Sequence, residues 1–332
     1  MKRWPQADPA RQREVLNGLS DAVSANLNLL TPPDEAWQPA DYLPDLEAGD
    51  WRERLGAWRD EARALSDPVL VVLVGDMVTE EALPSYSVSL NQLAEDSGRD
   101  EKPWARWLRG WTAEENRHGD LLNAFLRLTG RVDMRAVELT VHYLLSRGFS
   151  PDAGGDLYAG LVYTAFQERA TKISHANVGQ LAARDGNASL DQICRRIAGD
   201  EARHETFYTR MMAAVLDRDP EGGVLTAASM LRRVITMPGK AMYDGRDPDL
   251  FDHFAVVAQR LGVYTVADYA GIVEHLVRTW GIADRMVHGD AAKAQEFLCR
   301  HAERVAALSE PVAQRVADEP VRPFRWIHGR SV

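Results

Sequence analysis

Cysteine is scarce: Cys194 and Cys299 are the only two in 332 residues. A chain of this size with two distant thiols has no disulfide framework and suits a reducing compartment. Neither cysteine has another nearby, which argues against a Cys-based zinc or iron–sulfur site. Long apolar runs are missing as well. The longest, such as Val69 to Val74, fall far short of the ~20 residues that cross a bilayer. The N-terminus, Met1-Lys2-Arg3-Trp4-Pro5 followed by Gln6, Asp8 and Pro9, has no apolar stretch of the signal-peptide kind. It also lacks the Ser-rich, acid-poor character of a transit peptide. These absences set the expectation of a cytoplasmic protein without a membrane span. Excess positive charge is absent too: the net charge of −10 argues against nucleic acid as a partner. An acidic protein partner would have to find a local basic patch. No G-x-G-x-x-G opens a helix, so the chain has no dinucleotide site of its own. Strand alternation is rare, and only Val71-Val72-Leu73-Val74 could pass for a strand.

What is present reads as helix. Hydrophobic residues at 45% and charged ones at 27% are ordinary for a globule. Helical patterns are expected over 10–30, 51–65, 68–96, 103–129, 133–147, 155–184, 188–217, 222–236, 250–261, 266–282 and 290–317, with an irregular stretch at 34–50. Proline and glycine mark the breaks, as at Asp67-Pro68, Pro103, Gly130, Asp185-Gly186 and Pro220. The expected fold class is all-α. A four-helix core over about 68–217 carries appended helices over 220–317, in a single domain spanning 1–332.

Two copies of Glu-x-x-His stand out, each with a lone Glu well upstream at nearly equal separation. The first set is Glu80, Glu115 and His118; the second is Glu168, Glu201 and His204. Residues three apart share a helix face, so each Glu–His pair can reach one ion. A single Glu-x-x-His is a weak signal and also fits an exposed helix with acid–base pairs. The copies are more alike than that: Glu114-Glu115-Asn116-Arg117-His118 and Asp200-Glu201-Ala202-Arg203-His204 both read acid, Glu, any residue, Arg, His. Glu, Glu-x-x-His, Glu, Glu-x-x-His on four helices is the ligand set of dimetal carboxylate bundles.

Hard carboxylates with two imidazoles suit iron or manganese better than zinc. Six buried ionisable side chains without cations would be costly. Ligand imidazoles donate their other N–H to an acceptor. Asp200 is expected to face His118, and Glu114 to face His204. Pro84 lies four residues after Glu80 and removes a helix bond, which predicts a kink or π-bulge there.

Longer stretches then become informative. Val71 to Pro84, Trp111-Thr-Ala-Glu-Glu-Asn-Arg-His-Gly-Asp-Leu-Leu, Phe166-Gln-Glu-Arg-Ala-Thr, Asp200-Glu-Ala-Arg-His-Glu-Thr, Met242-Tyr-Asp-Gly-Arg and Gln259-Arg-Leu-Gly-Val-Tyr-Thr resemble the soluble acyl-carrier-protein (acyl-ACP) desaturases. The resemblance runs from about Trp37-Gln38-Pro39 to Pro323-Phe324-Arg325-Trp326-Ile327. It implies a ferritin-like homodimer that inserts a cis double bond into an acyl chain on acyl carrier protein during fatty acid biosynthesis. It implies two iron ions held by Glu80, Glu115, His118, Glu168, Glu201 and His204, and electrons from a separate ferredoxin. It makes Thr171 a candidate for the oxygen pocket, although back-bonding to its own helix is an equal reading. Trp37 and Asp200 resemble an electron path through His118. Ser89, Leu93, Pro151 and Gly160 match substrate-channel positions. Val88 and Ser89 depart from the Leu/Met-rich lining that the family has there. Arg195, Arg196, Arg232, Arg233 and Lys240 are candidates for a basic rim facing the acidic carrier.

Three other classes compete. A ferritin-like ferroxidase would use the same ligands but needs only the four long helices. A ribonucleotide reductase radical subunit wants a Tyr shortly after the first Glu-x-x-His, and Gly119 to Phe125 contain none. A metal-free scaffold would leave the six ionisable residues unexplained. Membrane desaturases are excluded by the missing spans and His clusters.

Overall fold

The computed structural model describes residues 4–5, 8–150 and 155–332. Pro151, a candidate channel residue, lies outside the described residues. Among those described, helices dominate, and the only β feature is an isolated antiparallel bridge between Pro323 and Ser331.

The expected helix over 10–30 is two short ones, α1 (Pro9–Asn17) and α2 (Ser20–Ala25), followed by a 3-10 turn at Leu27–Leu29. After the irregular stretch come α3 (Trp51–Arg63), α4 (Asp67–Glu80) and α5 (Leu83–Ala94). Every residue of α4 from Val69 to Glu80 is buried. An apolar run buried on all sides has no periodicity to separate helix from strand; here it is helix. The expected single helix over 68–96 breaks completely after Glu80, instead of kinking. Pro84 cannot donate to the Glu80 carbonyl, and the Ala82 N–H falls back three residues to Thr79 at 3.2 Å.

Three long helices match their expected limits within about two residues: α6 (Pro103–Thr129), then, past α7 (Met134–Arg147), α8 (Leu157–Arg184) and α9 (Ala188–Arg218). Their ends are chemically marked. Gly130 closes α6 at φ +65°, a left-handed position that glycine takes without strain. The Asp156 carboxylate accepts the Tyr158 and Ala159 N–H groups at the start of α8, and Asn187 accepts the Leu190 N–H at the start of α9. The C-terminal third forms α10 (Pro220–Leu231), α11 (Leu250–Arg260), α12 (Val266–Thr279), α13 (Gly289–Cys299), α14 (His301–Ala306) and α15 (Ser309–Asp318).

Helices α4 and α5 together make one arm of a four-helix core with α6, α8 and α9; α8 and α9 form the most extensive pair. Large rings lock the core. Trp107 of α6 and Phe207 of α9 stack with centroids 3.4 Å apart, both fully buried. Truncating a ring of this kind to alanine costs roughly 3–5 kcal/mol. A second layer lies over this core: α10 packs on α8 and α9, α12 on α8, and α11 on α4.

Candidate metal centre

The six predicted ligands converge. Glu80, Glu115, His118 and Glu201 form one group whose ligand atoms all lie within 4.8 Å of one another; Glu115, Glu168, Glu201 and His204 form a second. Glu115 and Glu201 belong to both groups, so they are placed to bridge two ions. Glu80 with His118, and Glu168 with His204, are placed at the outer ends. All six residues are buried. Each end of the site is thus supplied by a lone Glu and a Glu-x-x-His.

The orientation of the imidazoles matches ligation. His118 Nε2 faces Asp200 at 3.4 Å and His204 Nε2 faces Glu114 at 2.7 Å, the two expected pairings. Those contacts leave each Nδ1 toward the carboxylates. His204 Nδ1 lies 2.8 Å from Glu115 Oε1, and His118 Nδ1 lies 3.4 Å from Glu201 Oε1. Neither Nδ1 makes a hydrogen bond, and Glu115 Oε1 and both Glu201 oxygens are also without a hydrogen-bond partner. Buried polar atoms left unpaired in this way, converging on two points, are what metal coordination would satisfy.

Electrostatics agree. Burial pushes the Glu115 carboxyl up to about 7, aided by the Glu201 charge. Burial likewise drives Glu168 well above the carboxylate range, with Glu115 and Glu201 adding to it. Burial would also raise Glu201, but the closeness of the His118 and His204 imidazoles outweighs it and holds Glu201 low. Burial opposes a charge on His118, yet Asp200 and Glu201 hold it up to about 10. Protons therefore offset the crowded carboxylates when no cation does, and cations would displace them. The donor set of four carboxylates and two imidazoles fits iron or manganese.

Two arginines stabilise the outer acids. Arg203 donates to Asp200 Oδ1 at 2.9 Å and to Glu114 Oε2 at 3.1 Å. Arg117 donates to the Trp37 carbonyl at 2.7 Å and approaches Asp200 at 3.5 Å. The repeated Arg of the two motif copies was visible in the sequence, but its role was not. Two further contacts escaped sequence reading. His175 Nε2 meets Glu80 Oε1 at 2.9 Å, and the Trp111 indole N–H donates to Glu168 Oε1 at 3.0 Å. His175 lies seven residues after Glu168, two turns along one face, which is the one signal that could have found it.

Trp37 donates its indole N–H to Asp200 at 2.8 Å and stacks on His118, with centroids 6.2 Å apart and planes 4° from parallel. The guanidinium of Arg117 covers the Trp37 ring at 4.7 Å. Thr171 is buried, and its hydroxyl donates back to the Gln167 and Glu168 carbonyls at 3.1 Å. Leu93 and Gly160 are brought together: a Cβ on Gly160 would lie 3.9 Å from Leu93 and 3.5 Å from Leu90. Ser89 is half-buried on α5, and Val88 beside it is 71% exposed.

A cavity of about 450 Å³ opens between the core and the second layer. Its walls are mainly apolar, with Met237, Phe251, Phe254, Leu308 and Val312 among them. Asp76, Thr79, Glu80, Thr171 and His175 supply its polar end. The cavity therefore touches the candidate centre from the Glu80 side. Ser89, Leu93 and Gly160 do not line it. Arg232 and Arg233 do. Lys240 is engaged by Asp252 and Arg195 by Asp191, while Arg196 sits by Trp37 at 5.8 Å from its ring.

A helical bundle whose four core helices enclose a paired carboxylate–histidine cluster defines the ferritin-like dimetal class. The chain belongs to the fatty acid desaturase family, whose model matches residues 11–328. It is 46% identical over 329 residues to a stearoyl-[acyl-carrier-protein] 9-desaturase 5 of Oryza sativa subsp. japonica, covering 98% of this chain and 84% of that one. It is 46% identical over 330 residues to the stearoyl-[acyl-carrier-protein] 9-desaturase of Ricinus communis, covering 98% and 83%. Both relatives are described as chloroplastic. By structure it is similar to a putative acyl-ACP desaturase, DesA2, of Mycobacterium tuberculosis, with a TM-score of 0.56 at 19% identity over 85% of this chain and 99% of that one. That similarity supports the all-helical fold. Among the described residues no helix is long and apolar enough to cross a membrane.

Proposed function

We propose that this chain is an acyl-ACP desaturase that places a cis double bond in an acyl chain, within a single catalytic domain. Two iron ions would be held by Glu80, Glu115, His118, Glu168, Glu201 and His204. The observation that carries this reading is the apolar cavity ending on Glu80 and Thr171. An iron-storage role asks for a polar route by which ions enter, whereas these walls suit a hydrocarbon.

When bound, the metal pair supplies O2 activation and the oxidising power to take hydrogen from an unactivated C–H bond. The rest of the work falls to the chain. The cavity walls admit the acyl group and exclude water, and their depth sets which carbons reach the centre. Asp200 and Glu114 fix the tautomer and ring plane of His118 and His204. Trp37, hydrogen-bonded to Asp200 and stacked on His118, is the proposed entry for electrons from a ferredoxin. Thr171, at the cavity wall one turn past Glu168, borders the proposed oxygen pocket. Leu93, Gly160 and Ser89 would border the farther part of the channel, and Pro151 is a further candidate for substrate contact. We place the enzyme in the cytoplasm as a homodimer; two free thiols, one exposed at Cys299, suit a reducing compartment.

The test is reconstitution with ferrous iron, a ferredoxin, its reductase and stearoyl- or palmitoyl-carrier protein. About two irons per chain and an olefin are expected. Iron accumulating far beyond two per chain with no olefin would favour storage and overturn the proposal. Glu201→Ala and His204→Ala should each abolish turnover while leaving the far-UV circular dichroism helical.

A further inference from the structure

We infer that His175 is a positioning residue for the Glu80 carboxylate, and that it makes the two metal positions unequal. The inference rests on the dimetal reading above and goes beyond its ligand set. The two end carboxylates are tethered by different donors. Glu80 Oε1 is held by the His175 imidazole at 2.9 Å, and Glu168 Oε1 by the Trp111 indole at 3.0 Å. In each case the second oxygen is the one turned toward the cluster: Glu80 Oε2 lies 3.9 Å from His118 Nδ1 and Glu168 Oε2 lies 3.5 Å from His204 Nδ1. A tethered Oε1 leaves one oxygen for an ion and fixes where that oxygen points.

The surroundings of the tethers differ. Trp111 is fully buried in the aromatic packing between α6 and α9, against Tyr208 at 5.8 Å and His204 at 6.4 Å between ring centroids. It cannot turn without unpacking the core. His175 stands at the cavity wall, as does Glu80, while Glu168 and Trp111 do not. The Glu80 carboxylate is thus restrained by one side chain that borders open space, and the Glu168 carboxylate by one locked in dense packing. Removing a partner that orients a metal ligand typically weakens the metal by 10–100-fold. That loss should fall on the Glu80–His118 position when His175 is changed.

The test reads the two positions separately and does not use catalysis. Crystals of the full chain, stripped of metal, are equilibrated with limiting Mn(II), and anomalous scattering gives the occupancy at each end. His175→Leu should lower the affinity at the Glu80–His118 end by 10–100-fold, with a smaller change at the other. His175→Gln, which keeps an N–H donor, should retain occupancy. Trp111→Phe should shift the loss to the Glu168–His204 end. If His175→Leu does not fold, His175→Asn, whose shorter amide falls short of Glu80, replaces it. Equal occupancy at both ends in the variant lacking the tether, with Mn(II) bound normally in the wild type, would overturn this inference alone. Wild-type crystals with no manganese at either end would overturn the dimetal reading and the inference with it.

Discussion

At the residue scale the central fact is negative charge forced into a small buried volume. Four carboxylates without cations repel each other, and protons or imidazolium ions must offset them. Glu168→Gln tests that balance, because the amide oxygen can still accept from Trp111 while no proton is needed to neutralise the side chain. The metal-free variant should melt at or above the wild-type temperature. The wild type should gain about 2.7 kcal/mol at a metal concentration 100 times Kd, and the variant should lose most of that gain in scanning calorimetry. A variant less stable than wild type without metal, yet equally stabilised by Mn(II), would contradict it. Asp76 offers a pH test beside the site. Burial pushes its carboxyl up to about 6, although the Ser174 hydroxyl donates to it at 3.0 Å. A raised acid favours the protonated form in the fold, so stability falls as pH climbs from about 4 through about 6. Asp76→Asn should match the wild type near pH 4 and exceed it above pH 6 by up to ~3 kcal/mol, in denaturant melts of the metal-free protein. Four of the six candidate ligands and the two outer acids were legible because Glu-x-x-His and the residue before it are fixed by helix periodicity, and Glu80 and Glu168 were legible because they stand at nearly equal separations upstream. His175 and Trp111 were not, since a contact between helices depends on packing that no spacing encodes.

At the element scale, proline and glycine made the long helices legible. They act on the backbone itself, so α6, α8 and α9 begin and end where their punctuation stands. The misplaced boundaries have the same origin read in reverse. No proline marks the break between α13 and α14, and the only proline near the second break, Pro311, stands inside the first turn of α15, so the helix expected over 290–317 splits at Arg300 and again at Ala307 and Leu308. Packing can also override propensity inside a helix. Gly75 sits within α4, where alanine would gain about 1 kcal/mol of helix propensity. A Cβ there would lie 2.0 Å from the Phe254 ring of α11, so the ring must move. Overpacking of this kind costs typically 1–3 kcal/mol, which exceeds or cancels the propensity gain. Phe254 also lines the cavity, and a displaced ring would narrow it. Gly75→Ala should therefore lower stability and raise KM for the acyl substrate. Adding Phe254→Leu should recover much of both. If Gly75→Ala stabilises the protein with KM unchanged, then close contact between α4 and α11 is not what glycine serves.

At the scale of the whole molecule, the appended helices acquire a purpose that the sequence did not disclose. It showed a surplus layer after residue 220, but not that α11, α14 and α15 would wall an apolar cavity against the candidate metal centre. That fact emerges only when distant segments meet. The same scale governs how a carrier would dock. The protein carries a net charge of −10, and an acidic carrier is repelled by it at long range. At 0.1 M salt the screening length is about 10 Å, so charges farther than that from the docked carrier are largely screened and nearby charge dominates. Arg232 and Arg233 line the cavity, and Arg233 is exposed. Repulsion by the whole surface and attraction by the lip are screened at different salt concentrations. For the wild type, kcat/KM should first rise with salt as the repulsion fades, then fall as the local attraction is screened. Arg233→Glu removes the attraction and leaves the repulsion. It should lower kcat/KM about tenfold at 0.1 M salt, and the falling limb should vanish, so that kcat/KM climbs steadily with salt. Because Arg233 lies at the lip and not among the six ligands, kcat at saturating substrate should hold. Initial rates over a salt series for both proteins decide it: superimposable profiles would show that the carrier docks elsewhere on the surface.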